Sequence, residues 1–308
     1  MKIVHLSDTH IGQRLQDGQA PTEEANFLRW QQILQHFNQQ EDLDLKDCIL
    51  IHTGDLIHTS NQQQRDTGLI ALDAAKALFQ KVYLVPGNHD CGNSARISAS
   101  AHQAFLKDFS SYLFAGGPAS FPSVHLLDDN FALIGIDSNA EEKCLFDSLF
   151  AEGEIGEKQL AGLQTLLDSE QLKSRKLIFM LHHHPFPFPV TRKNLLKFGE
   201  NYFQPKVWKV LLIKLTMPFR RLKDASHFLK IIEDRAELLL FGHKHEGIDC
   251  SFRSKDFGIK CALDASSSTQ TDNFLAENGK PAPMRIRIID LETMQIQQEL
   301  IPFELKEE

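Results

Sequence analysis

Short apolar segments that each stop at a metal-binding or proton-transferring side chain recur along this chain, and they constrain its fold most strongly. In one of them, the apolar run that closes Leu78–Val85 predicts a buried strand, which Pro86-Gly87 terminates. Asn88-His89-Asp90 follow at once. Ligand sites of open α/β sheets lie outside the carboxyl ends of the strands. We therefore expect these three polar residues at a ligand-binding edge.

The same arrangement ends six predicted strands, and two predicted helices, 23–37 and 67–79, separate the first three of them. The polar groups at the strand ends are Asp8, His10, Asp55, Asn88, His89, Asp137, the triplet His182, His183 and His184, and finally His243 and His245. Strand–helix alternation of this kind predicts a partly parallel sheet covered by helices. Further strands are predicted near 248–252, 259–263, 284–291 and 295–301, so a second sheet packed on the first is expected.

Composition and charge narrow the class of protein. The net charge of −8 excludes a molecule that binds polyanions over its whole surface. The five cysteines are scattered and form no Cys-x-x-Cys pair, which favours a reduced interior over a disulfide framework. No signal peptide is apparent, and no apolar run reaches the roughly 18 residues of a membrane span. We therefore expect a cytoplasmic protein.

The segment 189–235 differs from the rest of the chain in its charge. It carries 11 Lys or Arg but 4 Asp or Glu. Its centre, 206–223, mixes apolar and basic residues as a basic amphipathic helix, or as two helices broken near Pro218. We expect a helical insertion with one of three roles: a structural cap, a lid over an anionic or lipidic substrate, or a membrane-surface helix in which 205–223 contacts lipid.

The strand-end groups have the composition of a site for two divalent ions. Carboxylate and amide oxygens with imidazole nitrogens suit Mn, Fe, Zn or Co, and the absence of thiolates argues against a structural zinc site. Two ions about 3.5–4 Å apart generate a hydroxide and hold both oxygens of an in-line phosphoryl displacement. One aspartate must then be shared by both ions. We expect Mn as the ion, with Fe, Zn or Co as alternatives.

The residues from Asp8 to His245 resemble, in order, the five-block signature of the calcineurin-like metallophosphoesterases. The blocks are Asp8-x-His10, Gly54-Asp55, Gly87-Asn88-His89-Asp90, His183-His184-Pro185 and Gly242-His243-Lys244-His245. The resemblance implies an α/β fold, a four-layer α-β-β-α sandwich of two mixed sheets flanked by helices. It also implies that 1–308 form a single domain, with 189–235 as a helical insertion or cap within it.

The resemblance also implies a role for each residue of the site. It assigns seven metal ligands: Asp8, His10 and His245 for one ion, Asn88, His183 and His243 for the other, and Asp55 as the bridge. His89 would contact phosphate and protonate the leaving oxygen, and Asp90 would orient His89. His182 and His184 would pack around the site. His58 stands where many members carry an acidic residue. The resemblance therefore does not fix the hydrogen-bond network that surrounds the ligands.

These assignments predict a metal-dependent phosphoric ester hydrolase in which a metal-bridging hydroxide attacks phosphorus in line. The blocks are most similar to the phosphodiesterase branch, which includes cyclic-nucleotide phosphodiesterases, so small phosphodiesters are the expected substrates. The alternative is a membrane-associated hydrolase of the UDP-diacylglucosamine type from lipid A synthesis, peripheral to the inner membrane face. A nuclease is disfavoured because no DNA-binding extension is seen. A scaffold without chemistry is disfavoured because every ligand position carries a competent residue.

Overall fold

The computed structural model describes residues 1–13, 25–93, 96–139, 152–186, 222–245, 247, 249–269 and 283–302. The strands are β1 (Lys2–Leu6), β2 (Cys48–His52), β3 (Lys81–Leu84), β4 (Gly92–Asn93), β5 (Arg96–Ile97), β6 (Ser123–Leu126), β7 (Phe131–Gly135), β8 (Lys176–Met180), β9 (Ala236–Phe241), β10 (Cys261–Asp264), β11 (Met284–Asp290) and β12 (Ile296–Ile301). The helices are α1 (Ala25–Asn38), α2 (Gln62–Leu78), α3 (Ala99–Asp108), α4 (Ser110–Leu113), α5 (Glu157–Leu167), α6 (Glu170–Lys173), α7 (Ala225–Ile231) and α8 (Ser251–Ser254), with 3₁₀ turns at Leu45–Asp47 and Lys255–Phe257.

Two five-stranded mixed sheets form the body of the described chain. The first has the order β12-β11-β1-β2-β3, with β1, β2 and β3 parallel and β11 antiparallel to β1. The second has the order β10-β9-β8-β7-β6, with β7 to β10 parallel and β6 antiparallel to β7. The strand ends thus lie in two sheets, and the arrangement agrees with the predicted fold class.

Side-chain alternation along the strands divides the core into three parts. One face of each sheet packs against the other sheet, as Ile51 and Ile178 do. The outer face of the first sheet packs on α1 and α2, and that of the second packs on α5 and α7. Helices therefore cover both outer faces, which gives four layers, α-β-β-α.

Element boundaries differ from the sequence prediction where polar side chains decide them. Helix α2 begins at Gln62 rather than 67, because the Asn61 side chain accepts a hydrogen bond from the Gln64 amide and caps a polar first turn. The strand predicted at 248–252 is wrong: Asp249 makes an isolated bridge to Leu263, and helix α8 starts at Ser251.

The insertion predicted over 189–235 falls mostly outside the described residues, which resume at Leu222 with helix α7. Leu222 donates its amide to the His184 carbonyl at 3.3 Å. The described residues on either side of 187–221 are Phe186 and Leu222, and both therefore lie at the loop that follows β8. Among the described helices, none combines the length and apolarity needed to cross a bilayer.

Candidate metal centre

The loops that follow β1, β2, β3, β8 and β9 meet at one edge where the two sheets pack together. Several non-glycine residues of these loops adopt the left-handed backbone region, with positive φ angles at Asp8 (52°), His10 (47°), Asp55 (54°), His243 (76°) and His245 (57°). Such conformations cost about 1–3 kcal/mol each and persist where the surroundings hold them in place. The sharp turns they produce direct these side chains to a common point.

A first cluster joins both sheets through Asp8, His10 and His245. His245 Nε2 lies 3.0 Å from Asp8 Oδ1 and 3.2 Å from His10 Nε2. His10 Nε2 lies 4.0 Å from the same Asp8 oxygen. One carboxylate and two imidazoles at these separations form a group that could hold a divalent ion.

A second cluster consists of Asn88, His182 and His243. His182 Nε2 lies 3.1 Å from Asn88 Oδ1 and 3.2 Å from His243 Nδ1, and that His243 nitrogen lies 3.1 Å from the Asn88 oxygen. An ion about 2.0–2.1 Å from each atom fits a triangle of this size. The donor set therefore suits a second metal ion.

Asp55 stands between the two clusters. Its Oδ2 lies 3.7 Å from His10 Nε2 of the first cluster and 3.4 Å from His182 Nε2 of the second. Its other oxygen, Oδ1, accepts a hydrogen bond from the His89 amide at 2.8 Å. One carboxylate oxygen facing both clusters is the geometry that a bridging ligand needs.

His182 takes the place that the sequence analysis gave to His183. In β8 the side chains of Ile178 and Met180 face the first sheet, and His182 continues this alternation by one step. Its Nδ1 pairs with the Thr53 carbonyl of that sheet at 2.8 Å. His183 instead pairs its Nδ1 with Ser138 Oγ at 2.8 Å, and its ring fills the space beside Gly153. On these contacts we propose His182 rather than His183 as the candidate ligand.

His89 lies beside the first cluster, with its ring centroid 4.6 Å from that of His10. The contact expected from Asp90 is made by a different group. Both Asp90 oxygens accept backbone amide hydrogens, from Ile57 at 3.0 Å and Gly87 at 2.9 Å. The His58 carbonyl lies 2.9 Å from His89 Nδ1 and orients that ring instead. Asp90 is thus a residue that shapes the loop, and His58 orients His89.

Hydroxyl and amide side chains from distant parts of the chain hold the ligand loops. Ser267 and Thr269 donate their hydroxyl hydrogens to the Asp8 and Thr9 carbonyls at 2.7 and 2.8 Å. Asn26 of α1, which the analysis did not single out, donates to the His10 carbonyl at 2.9 Å. These bonds span more than 250 residues for Ser267 and Thr269, so local sequence patterns carry no signal of them.

Asp55 and His182 form a buried ion pair when no ion is bound. Burial raises the pKa of the Asp55 carboxyl, but His182 and His89 outweigh it and hold that pKa well below its usual range. Burial lowers the pKa of His182, but the Asp55 carboxylate outweighs it and raises that pKa to about 9. His182 must lose its proton before it can ligate a metal ion.

We expect the affinity for divalent ions to rise with pH up to about 9, where His182 titrates, and to level off above it. Because this pKa lies above the ordinary value of 6.5, metal binding at pH 7 releases a proton from His182. Calorimetric titration with Mn²⁺ in buffers of different ionisation enthalpy measures the release. Proton release that persists unchanged in His182→Asn would contradict the assignment.

Gly87→Ala is expected to weaken metal binding by about 10–100-fold, the scale seen when a ligand loses its support. A Cβ at Gly87 would collide with Oδ1 and with the backbone nitrogen of Asp55, so both the carboxylate and its backbone must move. Metal content after dialysis measures the effect. Gly162→Ala in α5 is the control, since its Cβ would meet nothing closer than 3.6 Å. Equal metal content in both variants would show that Asp55 tolerates the displacement.

Comparisons with known proteins identify the family and the fold of the chain. The family model for calcineurin-like phosphoesterase matches residues 1–247 of the chain. No curated protein matches the sequence.

The chain matches a number of solved structures, and two of them align over nearly its whole length. A crystal structure of a dimetal phosphatase from Danio rerio has a TM-score of 0.57 at 14% identity, covering 98% of this chain and 96% of its own. This likeness shows a shared fold. A protein provisionally named a diadenosine tetraphosphatase covers 97% of this chain and 93% of its own at 10% identity, with a TM-score of 0.30 that carries no argument.

Proposed function

The chain belongs to the calcineurin-like phosphoesterase family, and we propose that it hydrolyses small phosphodiesters at a centre of two divalent ions. The observation that carries this proposal is the position of Asp55 Oδ2, which faces His10 at 3.7 Å and His182 at 3.4 Å. A carboxylate shared in this way is what a pair of ions a few Å apart requires.

Seven side chains are proposed as the metal ligands. They are Asp8, His10 and His245 for one ion, Asn88, His182 and His243 for the other, and Asp55 between them. Bound there, two divalent ions would supply an activated water and neutralise charge on the phosphoryl oxygens. The mixed oxygen and nitrogen donors favour Mn²⁺, with Fe, Zn or Co as alternatives.

His89 is proposed as the acid that assists the leaving group. The His58 carbonyl accepts from its Nδ1, which leaves Nε2 to carry the proton transferred to a departing oxygen. His89 is partly exposed, so a substrate oxygen can reach it beside the first cluster. Asp90 supports this step by fixing the loop on which His89 stands.

Small diesters are the proposed substrate class because the motif blocks are most similar to the phosphodiesterase branch. The test is a panel with Mn²⁺-loaded protein: cyclic nucleotides, glycerophosphodiesters, UDP-linked lipids, phosphomonoesters and single-stranded DNA. Preferred turnover of a small diester supports the proposal. Turnover confined to monoesters or to DNA would overturn the substrate class while leaving the metal centre in place.

We also propose a second candidate, a hydrolase of UDP-diacylglucosamine-type substrates at a membrane surface, because the segment 189–235 is basic and amphipathic. The described part of this segment begins at Leu222, whose amide donates to the carbonyl of His184 in the loop that follows β8. Basic and apolar residues at 205–223 would suit a diphosphate with acyl chains. Vesicle flotation separates the candidates, because deletion of 205–223 abolishes membrane association only if this segment contacts lipid.

A further inference from the structure

A third group of converging ligand atoms lies outside the seven proposed ligands except for one shared member. His10, His58 and His89 each offer an imidazole nitrogen, and these atoms lie within 4.8 Å of one another. The His58 and His89 rings stack with centroids 4.9 Å apart, and the His89 ring meets the edge of His10 at 4.6 Å. Unlike the two clusters of the centre, this group contains no oxygen donor.

One of these rings is already arranged as a metal-binding histidine is, and a second has a buried nitrogen without a hydrogen-bond partner in the described residues. The bond from His89 Nδ1 to the His58 carbonyl leaves Nε2 of His89 for a ligand. A backbone carbonyl on one ring nitrogen is the usual partner of a histidine that binds metal through the other. His58 Nδ1 is buried and has no hydrogen-bond partner in the described part of the chain. The His58 ring therefore has unused binding capacity.

We propose that His10, His58 and His89 form an inhibitory site for a single zinc ion. Imidazole suits Zn²⁺, whereas Mn²⁺ prefers oxygen donors, so this all-nitrogen group selects against the ion expected at the centre. An ion bound here takes His10 away from Asp8 and His245 and engages His89. Zinc therefore blocks the site by occupying residues that the reaction uses.

The inhibitory readout rests on the proposed function, whereas zinc binding itself does not. His58 distinguishes the two kinds of site, because it belongs to the imidazole group and to neither cluster of the centre. His58→Gln removes the imidazole and keeps a side chain of similar length. His58→Ala serves as a second variant, and the backbone carbonyl that holds His89 remains in both.

The experiment loads the full chain with Mn²⁺ and titrates Zn²⁺ while metal content is measured after equilibrium dialysis. Hydrolysis is followed in parallel, with each rate normalised to the zinc-free rate of the same variant. We expect wild-type protein to bind zinc more than about 100-fold more tightly than His58→Gln, because loss of a ligand costs more than the roughly 10–100-fold that follows from disturbing a ligand's support. The inhibitory zinc concentration should rise by the same factor. His36→Gln, which alters a histidine of α1 paired with Glu299, is the matched control and should behave as wild type.

Equal zinc affinity and equal inhibition in wild type and both His58 variants would overturn the proposal, since zinc would then act at the centre alone. Binding that depends on His58 but leaves the normalised rate unchanged would overturn the inhibitory role. A protein without phosphoester turnover in Mn²⁺ would refute the proposed function. The dialysis measurement would still decide whether the imidazole site exists.

Discussion

Replacing His89 with Asn is expected to lower kcat by about 10²–10⁴-fold, the usual contribution of a positioned general acid. The variant should keep both ions, because neither proposed ligand cluster contains His89. The loss should be largest for diesters with alkyl leaving groups, whose oxygens need a proton as they depart. It should shrink for nitrophenyl diesters, whose leaving oxygen is stable as an anion. Steady-state rates with the two substrate types, alongside metal analysis, measure both effects.

The comparison of leaving groups decides between catalysis and structure. An equal loss on both substrate types would indicate that His89 holds the substrate or the loop rather than donating a proton. Loss of metal would indicate that it supports the centre. Asp90→Asn provides a contrast, because its carboxylate accepts from the Gly87 and Ile57 amides. That change should lower stability, with its effect on rate independent of the leaving group.

His182→Ala is expected to remove one of the two ions, with a loss of affinity greater than the roughly 10–100-fold that follows from disturbing a ligand's support. Hydrolysis should fall with metal occupancy, because His182 Nε2 lies within 3.4 Å of Asn88, Asp55 and His243 donor atoms. His183→Ala should retain both ions. Its cost should appear as a lower free energy of unfolding by about 1–3 kcal/mol, since Ser138 loses a buried hydrogen-bond partner.

The two neighbouring histidines are matched controls for each other, because both are fully buried in the same loop. Metal content per chain and thermal unfolding should be measured on both variants. A His183→Ala protein that loses one ion, beside a His182→Ala protein that keeps two, would restore the assignment made from sequence. The same result would remove the basis for placing Asp55 between His10 and His182.

The sequence is sufficient to predict the fold. It also predicts that most of the ligand side chains meet at one edge of the sheets. Apolar strands that stop at Asp8, Asp55, Asn88 and His243 must deliver their polar ends to the carboxyl edge of a sheet. It also predicts a second sheet, but not that the strands before His182 and His243 lie in it, because pairing partners are set by tertiary packing. Nor does it reveal the seryl and threonyl bonds to the ligand loops, which join distant parts of the chain.

The choice between His182 and His183 was readable in principle from strand alternation. Ile178 and Met180 face the other sheet, and a two-residue period places His182 on the same side. The motif spacing relative to Pro185 favoured His183 instead. Because three histidines stand in a row, the motif can be aligned with either of two neighbouring residues. A shift of one residue along a strand moves the side chain to the opposite face of the sheet. Strand alternation and distance from the proline therefore favour different histidines, and metal analysis of the two alanine variants decides between them.

Each ligand cluster draws on both halves of the sandwich. Asp8 and His10 follow a strand of the first sheet, and His245 follows a strand of the second. Asn88 likewise comes from the first, whereas His182 and His243 come from the second. An ion bound by either ligand cluster would thus cross-link the two sheets. Removal of the ions would then weaken the contact between the two sheets and also abolish hydrolysis. Metal occupancy and the stability of the sheet–sheet interface would therefore change together.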